Sequence, residues 1–223
     1  MSIALLHLNK LLKLAALAEN KLISAIRDDL RSERRKVLGL SSGGGDFHTA
    51  FWSDAKGHVI GVVDLPSQTA MRIEGNPTRK RLYPELANGF LNWLDLLRRS
   101  TNRGIGWSPE SVHNRYEVPG LGVTVKVDNL LGLRIGDDQH KLVYPYFSEE
   151  PVLEDRWARM GLWLMREALP NHDIAQMEIL DVLRSRSFSG DRLFLTGGEE
   201  ALLARRYGEI ATIWENLRVE YGV

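Results

Sequence analysis

The residues between Gly43 and His58 form the densest group of side chains that could bind a metal ion. This stretch, GGGDFHTAFWSDAKGH, combines aspartates, histidines and a lysine. Carboxylate and imidazole groups are common ligands of Mn²⁺ and Zn²⁺. A β-hairpin would bring its two strand ends together, so the sequence predicts a candidate metal site whose ligands are Asp46, His48, Asp54 and His58. The alternative is an ordinary hairpin turn, in which an aspartate bonds its own backbone and a glycine takes a positive φ angle.

The same stretch also resembles the PD-(D/E)xK nuclease signature. Asp46 and the sequence Asp54-Ala55-Lys56 supply two acids and a lysine. In such a site the two acids hold Mg²⁺, while the lysine steadies the attacking water or the phosphate. The signature here lacks its proline, its gap is shorter than usual, and its D-x-K element falls in a predicted turn.

The order of elements between residues 84 and 220 resembles the same superfamily a second time: helix, three strands, helix, strand, helix. This resemblance implies that Asp128 is the metal-binding acid. The third strand carries Tyr144-Pro145-Tyr146 where that family has E-x-K. The resemblance therefore implies either a nuclease that uses Mg²⁺ or Mn²⁺, with Lys126 or Glu149 as a substitute, or a catalytically degenerate relative that still binds nucleic acid.

Two basic clusters lie at opposite ends of a helix predicted over residues 84 to 99. They form a candidate phosphate or nucleic-acid site. Their members are Arg79, Lys80, Arg81, Arg98, Arg99 and Arg103. The alternative is charge pairing with residues 137 to 155, which hold six acids against one lysine.

Composition limits the classes of function. The 223 residues carry 29 basic and 29 acidic side chains, so no overall field draws the chain to nucleic acid or to a membrane surface. The absence of cysteine excludes disulfides, thiolate metal sites and a cysteine nucleophile. It fits a reducing compartment, so the expected location is the cytoplasm. Serine-hydrolase, P-loop and dinucleotide-binding motifs are also absent.

The N-terminal region predicts an amphipathic helical arm over residues 1 to 40. Polar residues interrupt its leucines before they reach the length of a membrane span. His7, Lys10 and Lys13 recur every third residue and therefore share one helical face. The glycines that follow Ser42 predict a boundary, after which residues 46 to 223 form a single α+β domain.

The remaining elements follow from hydrophobic periodicity. We expect an α+β fold, or a mixed-sheet α/β fold, with helices packed on the sheet. The predicted strands cover residues 46–52 and 58–65 as a hairpin, then 122–128, 130–135, 141–147, 177–183 and 191–196. Beside the helix at 84–99, a helix is predicted over 151–168, and Thr196 with Glu199 predicts a capping box for the last helix.

The strongest regular signals are apolar seams. The last helix has apolar residues at a spacing of 3.5, namely Leu203, Tyr207, Ile210, Trp214, Leu217 and Tyr221. Such seams favour a binding protein that associates with its own copy or with a protein partner, through this helix, the N-terminal helix, or both. No cofactor is predicted for this function. The nuclease alternative adds nucleic acid as a partner and Mg²⁺ or Mn²⁺ as a cofactor.

Overall fold

The computed structural model describes residues 3–40, 47–108 and 112–221. The predicted boundary at residues 41 to 45 and the candidate metal ligand Asp46 lie outside these ranges. In chain order the elements are β1 (Leu5–His7), α1 (Leu8–Ala16), α2 (Glu19–Val37), α3 (Phe47–Ile60), α4 (Leu65–Gly75), α5 (Leu82–Arg99), β2 (Ile105–Trp107), β3 (Asn114–Val118), β4 (Val123–Val127), β5 (Leu131–Ile135), β6 (Gln139–Tyr146), α6 (Asp155–Ala168), β7 (Met177–Asp181), β8 (Arg186–Ser189) and α7 (Glu199–Tyr221).

The strands form two mixed sheets. One has the order β1-β4-β3, with β1 parallel to β4 and β3 antiparallel to it. The other has the order β2-β5-β6-β7-β8, in which β6 and β7 are parallel and the other neighbours are antiparallel. Helix α6 provides the crossover that a parallel pair requires. The prediction of an α+β fold with helices packed on a mixed sheet is confirmed.

The five-stranded sheet separates two apolar layers. Strand β6 shows this through its alternation: Leu142 and Tyr144 pack on one side with α1 and α6, whereas Val143 packs on the other side with α3 and α5. Successive side chains of a strand point to opposite faces. The sheet is therefore covered on both faces, and its ends, where polar side chains emerge, are the places left for a site.

The predicted β-hairpin over residues 46–65 is wrong. Residues 47 to 60 form one helix, α3, because apolar residues recur every fourth position and Phe51 and Ala55 are fully buried. Gly57, which suggested a turn, is favoured for a different reason. Gly57 lies inside the helix, where a Cβ atom would come within 2.9 Å of the Val63 side chain. The chain reverses instead at Gly61, whose φ angle is +80°.

The predicted strand over residues 191–196 is also wrong, because β8 ends at Ser189. The expected pairing of Thr196 with Glu199 is confirmed by hydrogen bonds of 2.8 Å from the Thr196 N–H and hydroxyl to the Glu199 carboxylate. Helix α7 begins at Glu199 itself, after a glycine pair.

Both apolar seams are buried within the chain. The leucine face of α1 packs in the core beside α6, and the α7 residues Leu203 and Tyr207 join the same core. The rest of the α7 seam, from Ile210 to Leu217, packs with the apolar face of α2. Strand β1, which precedes α1, pairs with β4. Both seams are therefore largely buried inside the described part of the molecule. Self-association stays a prediction.

Candidate functional site

An open cleft of about 690 Å³ lies at one end of the five-stranded sheet. Its walls are the start of α1, one face of α3, the connection between β4 and β5, and the chain that follows β6. Ligand clefts in proteins commonly measure about 300–1,000 Å³. The cleft therefore has the volume of a small-molecule or nucleotide site.

Helix α1 lines the cleft with its basic face. Lys10 and Lys13 of α1 border the cleft, and so does His7, which the sequence placed on the same helical face but which ends β1 just before the helix begins. Lys10 is neutralised by Asp29 of α2, with Nζ 2.6 Å from Oδ2. Lys13 has no carboxylate within 4 Å among the residues that the structure describes. The face predicted from the sequence thus brings one unneutralised cation into the cleft.

Helix α3 contributes a second cation. His48, Trp52 and Lys56, each one helical turn apart, border the cleft. Burial lowers the pKa of Lys56 below its usual value, and the charge of Asp128 opposes that change without cancelling it. The Lys56 ammonium lies 5.9 Å from the centre of the Trp52 ring. In the described part of the chain it, too, has no carboxylate within 4 Å.

Aromatic contacts fix α3 in this position. The His48 ring stacks on Phe147 with centroids 4.8 Å apart. The indole N–H of Trp52 donates to the backbone oxygen of Asn129 at 2.6 Å. Asn129 has a φ angle of 61°, which turns the chain sharply between β4 and β5. The helix is thereby joined to the turn that carries Asp128.

Asp128 pairs with His7 across the cleft floor. Nδ1 of His7 lies 3.1 Å from Oδ1 of Asp128. This hydrogen bond is the main reason that the pKa of Asp128 lies below its usual value. The pairing of β1 with β4 brings these two residues together. His7, the last residue of β1, lies opposite Lys126, which is two residues before Asp128. Lys126 itself does not border the cleft.

Tyr144 supplies a buried hydroxyl. It is 3 % exposed and borders the cleft from β6. The N–H of Asn9 donates to its oxygen at 2.8 Å. Burial raises the pKa of Tyr144, so the hydroxyl keeps its proton. Within the described residues, this hydroxyl accepts from Asn9 and donates to no protein acceptor.

The acids of the outer wall are neutralised by neighbouring helices. Glu149 accepts from Arg81 at 2.7 Å, and Glu150 lies 2.5 Å from Lys21. These contacts lower the pKa of both carboxyls. Arg184 also donates to the backbone oxygen of Glu149 at 2.5 Å. The wall is held in place, and its negative charge is compensated.

The cleft therefore carries an excess of positive charge, although the numbers of its carboxylate and lysine lining residues are equal. Three lysines and three carboxylates border it, which formally cancel. Glu149 and Glu150 are paired with Arg81 and Lys21, which lie outside the lining, whereas Asp128 accepts a hydrogen bond from His7 and keeps its negative charge when the imidazole is neutral. Two of the lysines have no acidic partner in the described ranges. The cleft consequently favours an anionic ligand.

The residues predicted as metal ligands do not converge. The Asp54 carboxylate accepts from Arg72 at 2.9 and 3.0 Å, and Nδ1 of His58 accepts from the Leu65 N–H at 3.3 Å. Of the three candidates that the structure describes, His48 borders the cleft, and Asp54 and His58 do not. Within residues 3–40, 47–108 and 112–221, no three His, Asp or Glu side chains are grouped as a metal site.

The predicted basic clusters are mostly engaged elsewhere. Their contacts are Arg79 over the Tyr83 ring at 5.1 Å, Arg81 with Glu149, Arg98 with Asp95 at 3.5 Å, and Arg103 with Asp138 at 2.5 Å. Lys80 and Arg99 lie at opposite ends of α5, away from the cleft lining. Of the residues predicted from the nuclease topology, Asp128 and Glu149 do border the cleft.

Sequence reasoning missed the roles of His7, Lys13 and Tyr144 in one site. The three-residue spacing on α1 was a usable signal, but nothing local shows which partner that face meets.

No protein-family model matches this chain, and the search of curated proteins also gives no match. In the described part of the chain, no helix combines the length and the apolar character needed to span a bilayer.

Proposed function

We propose that the protein binds a phosphate-bearing ligand in this cleft. The observation that carries the proposal is the unequal neutralisation of charge: Glu149 and Glu150 are paired with cations outside the lining, whereas Lys13 and Lys56 lack an acidic partner in the described residues. Placing an anion between these lysines gives both of them a partner. A hydrogen bond to a charged group contributes about 1.5–3 kcal/mol.

Three further features support an anion. Helix α1 begins at the cleft, and the N-terminal end of a helix carries a partial positive charge. The Tyr144 hydroxyl adds a neutral donor that a phosphate oxygen can accept. Hydroxyl groups of Thr49 and Ser53, on the same side of α3 as Lys56, add two more donors on the cleft wall.

The test is a binding titration followed by calorimetry and by fluorescence anisotropy. The probes are inorganic phosphate, adenosine 5′-monophosphate and a labelled single-stranded DNA of twelve nucleotides. Lys13→Met and Lys56→Met remove the charges while keeping the apolar stems, and Lys36→Met on the exposed end of α2 is the matched control.

Each cleft variant should weaken binding of at least one probe by about tenfold or more, since a charged hydrogen bond is lost. The control should bind as the wild type does. Binding that is unaffected by either cleft variant would place the ligand elsewhere, and a wild type that binds none of the three probes would refute the proposal.

A further inference from the structure

The cleft also contains the groups needed to move protons. His7 donates through Nδ1 to Asp128, so in the neutral imidazole the proton lies on Nδ1 and the lone pair on Nε2. An imidazole oriented by a carboxylate in this way is a general base. His7 is half exposed, with 51 % of its side chain accessible, so a ligand in the cleft can reach it.

The same carboxylate influences a potential proton donor. The Asp128 charge acts on the Lys56 ammonium, although the two groups lie more than 4 Å apart. Burial makes this lysine release its proton more easily than a solvated lysine does. A base and an acid thus lie near one carboxylate, and Lys13 provides a separate positive charge on the wall.

This set of groups suits transfer at a phosphodiester that carries its own nucleophile. In RNA the 2′-hydroxyl lies beside the phosphorus, so attack is intramolecular and its entropic barrier is small. What the reaction requires is a base for the 2′-hydroxyl proton, an acid for the leaving oxygen, and cations for the developing charge. DNA lacks the 2′-hydroxyl and cannot react in this way.

We propose that the cleft cleaves single-stranded RNA, with His7 as the general base and Lys56 as the general acid. The proposal rests on the phosphate binding proposed above. His7 Nε2 takes the proton of the 2′-hydroxyl, the 2′-oxygen forms a bond to phosphorus, and the bond from phosphorus to O5′ breaks. O5′ receives a proton from Lys56. The products are a 2′,3′-cyclic phosphate and a 5′-hydroxyl, and both side chains regain their starting state by proton exchange with water.

Asp128 is a positioning residue in this scheme, because it acts through His7. Lys13 binds a non-bridging phosphate oxygen. The neutralised outer wall, where Arg81 holds Glu149, removes a repulsion that the incoming strand would otherwise meet.

The experiment uses a DNA strand of twelve nucleotides with one central ribonucleotide, and an all-DNA strand of the same sequence. The full-length protein is tested as wild type, His7→Gln and Lys56→Met. The matched controls are His113→Gln and Lys36→Met, which change exposed residues outside the cleft. Reactions contain EDTA, and product ends are identified by mass spectrometry.

We expect cleavage only at the ribonucleotide, with a cyclic phosphate end. His7→Gln and Lys56→Met should each slow cleavage by about 100-fold or more, the range for loss of a general acid or base. His7→Gln should bind the all-DNA strand within twofold of the wild type, because a folding defect or a loss of binding would reduce both properties. The two controls should cleave normally.

Four outcomes would overturn the proposal. Binding of both strands without cleavage would refute the reaction and leave phosphate binding intact, whereas failure to bind either strand would refute both proposals. Full activity in His7→Gln would refute the assignment of the base. Cleavage that appears only when EDTA is replaced by Mg²⁺ and that yields 5′-phosphate ends would indicate hydrolysis by a metal-bound water instead.

Discussion

The imidazole of His7 and the carboxylate of Asp128 are 121 residues apart in the sequence and 3.1 Å apart in the fold. This contact links the strand that opens the chain to the turn between β4 and β5. In a double-mutant cycle, His7→Ala and Asp128→Ala should show a coupling free energy of about 0.5–1 kcal/mol, as expected for a partly exposed pair. Urea unfolding at pH 6 measures it. Strict additivity of the two single variants would show that the contact contributes nothing.

The pair of Arg81 and Glu149 sets the charge of the outer wall. Glu149→Gln should release Arg81 toward the cleft and strengthen binding of a single-stranded DNA by about two- to fivefold, the effect of one exposed charge. Anisotropy at low salt measures it. Asp138→Asn is the control, because it releases Arg103 outside the cleft lining. Equal strengthening by both variants would indicate a nonspecific effect of net charge.

Glu178 is a buried charge that holds the sheet to α5. It is 1 % exposed and accepts from the Trp93 indole at 2.8 Å and from Lys141 at 2.6 Å. Lys141→Met should reduce the free energy of unfolding by about 3 kcal/mol, because it leaves a buried carboxylate without its cation. Lys21→Met removes the exposed partner of Glu150 and should cost far less, because solvent already screens that pair. If the two variants lost similar free energies of unfolding in urea, burial would not explain the importance of the Glu178 pair.

Two helical glycines should respond to alanine in opposite directions. A Cβ atom on Gly89 of α5 would lie 1.9 Å from the backbone oxygen of Val182, whereas nothing lies within 4 Å at Gly208 of α7. Gly89→Ala should therefore destabilise the protein by about 3 kcal/mol. Gly208→Ala should stabilise it by about 0.5–1 kcal/mol, the helix-propensity gain. Thermal unfolding tests both, and a tolerated Gly89→Ala would contradict the close packing of α5.

Glu199 should make the stability depend on pH. Burial alone would raise its pKa, but hydrogen bonds from Thr196 and Gly197 outweigh it and lower the pKa below the usual value. A depressed pKa gives stability that is present above the unfolded-state value, about 4.3, and is lost as the pH falls through the folded-state value. Glu199→Gln should thus cost about 1–2 kcal/mol at pH 7. Urea unfolding at pH 7 and at pH 3.5 measures this loss of free energy. An equal loss at pH 3.5 would show that the pKa of Glu199 is not lowered in the folded state.

Strands β4 to β6 and helices α5 to α7 could be predicted from the sequence because each has a regular pattern of its own. Val123, Val125 and Val127 alternate, and the α7 seam repeats every 3.5 residues, so burial of one face follows from local spacing. Helix α3 was mistaken for a hairpin because an aspartate and a glycine give the same signal in a turn as in a helix whose glycine faces a close neighbour. Only the position of Val63 distinguishes the two.

The sequence by itself determined the layered α+β architecture and the basic face of α1. The tertiary structure decided where that face points and which charges remain without a partner. Neutralisation is a property of long-range contacts: Arg81 reaches Glu149 over 68 residues, and Lys21 reaches Glu150 over 129. A chain with equal numbers of acids and bases can therefore contain a positively charged cleft, because Coulomb energy depends on distance in space and not on position in the sequence.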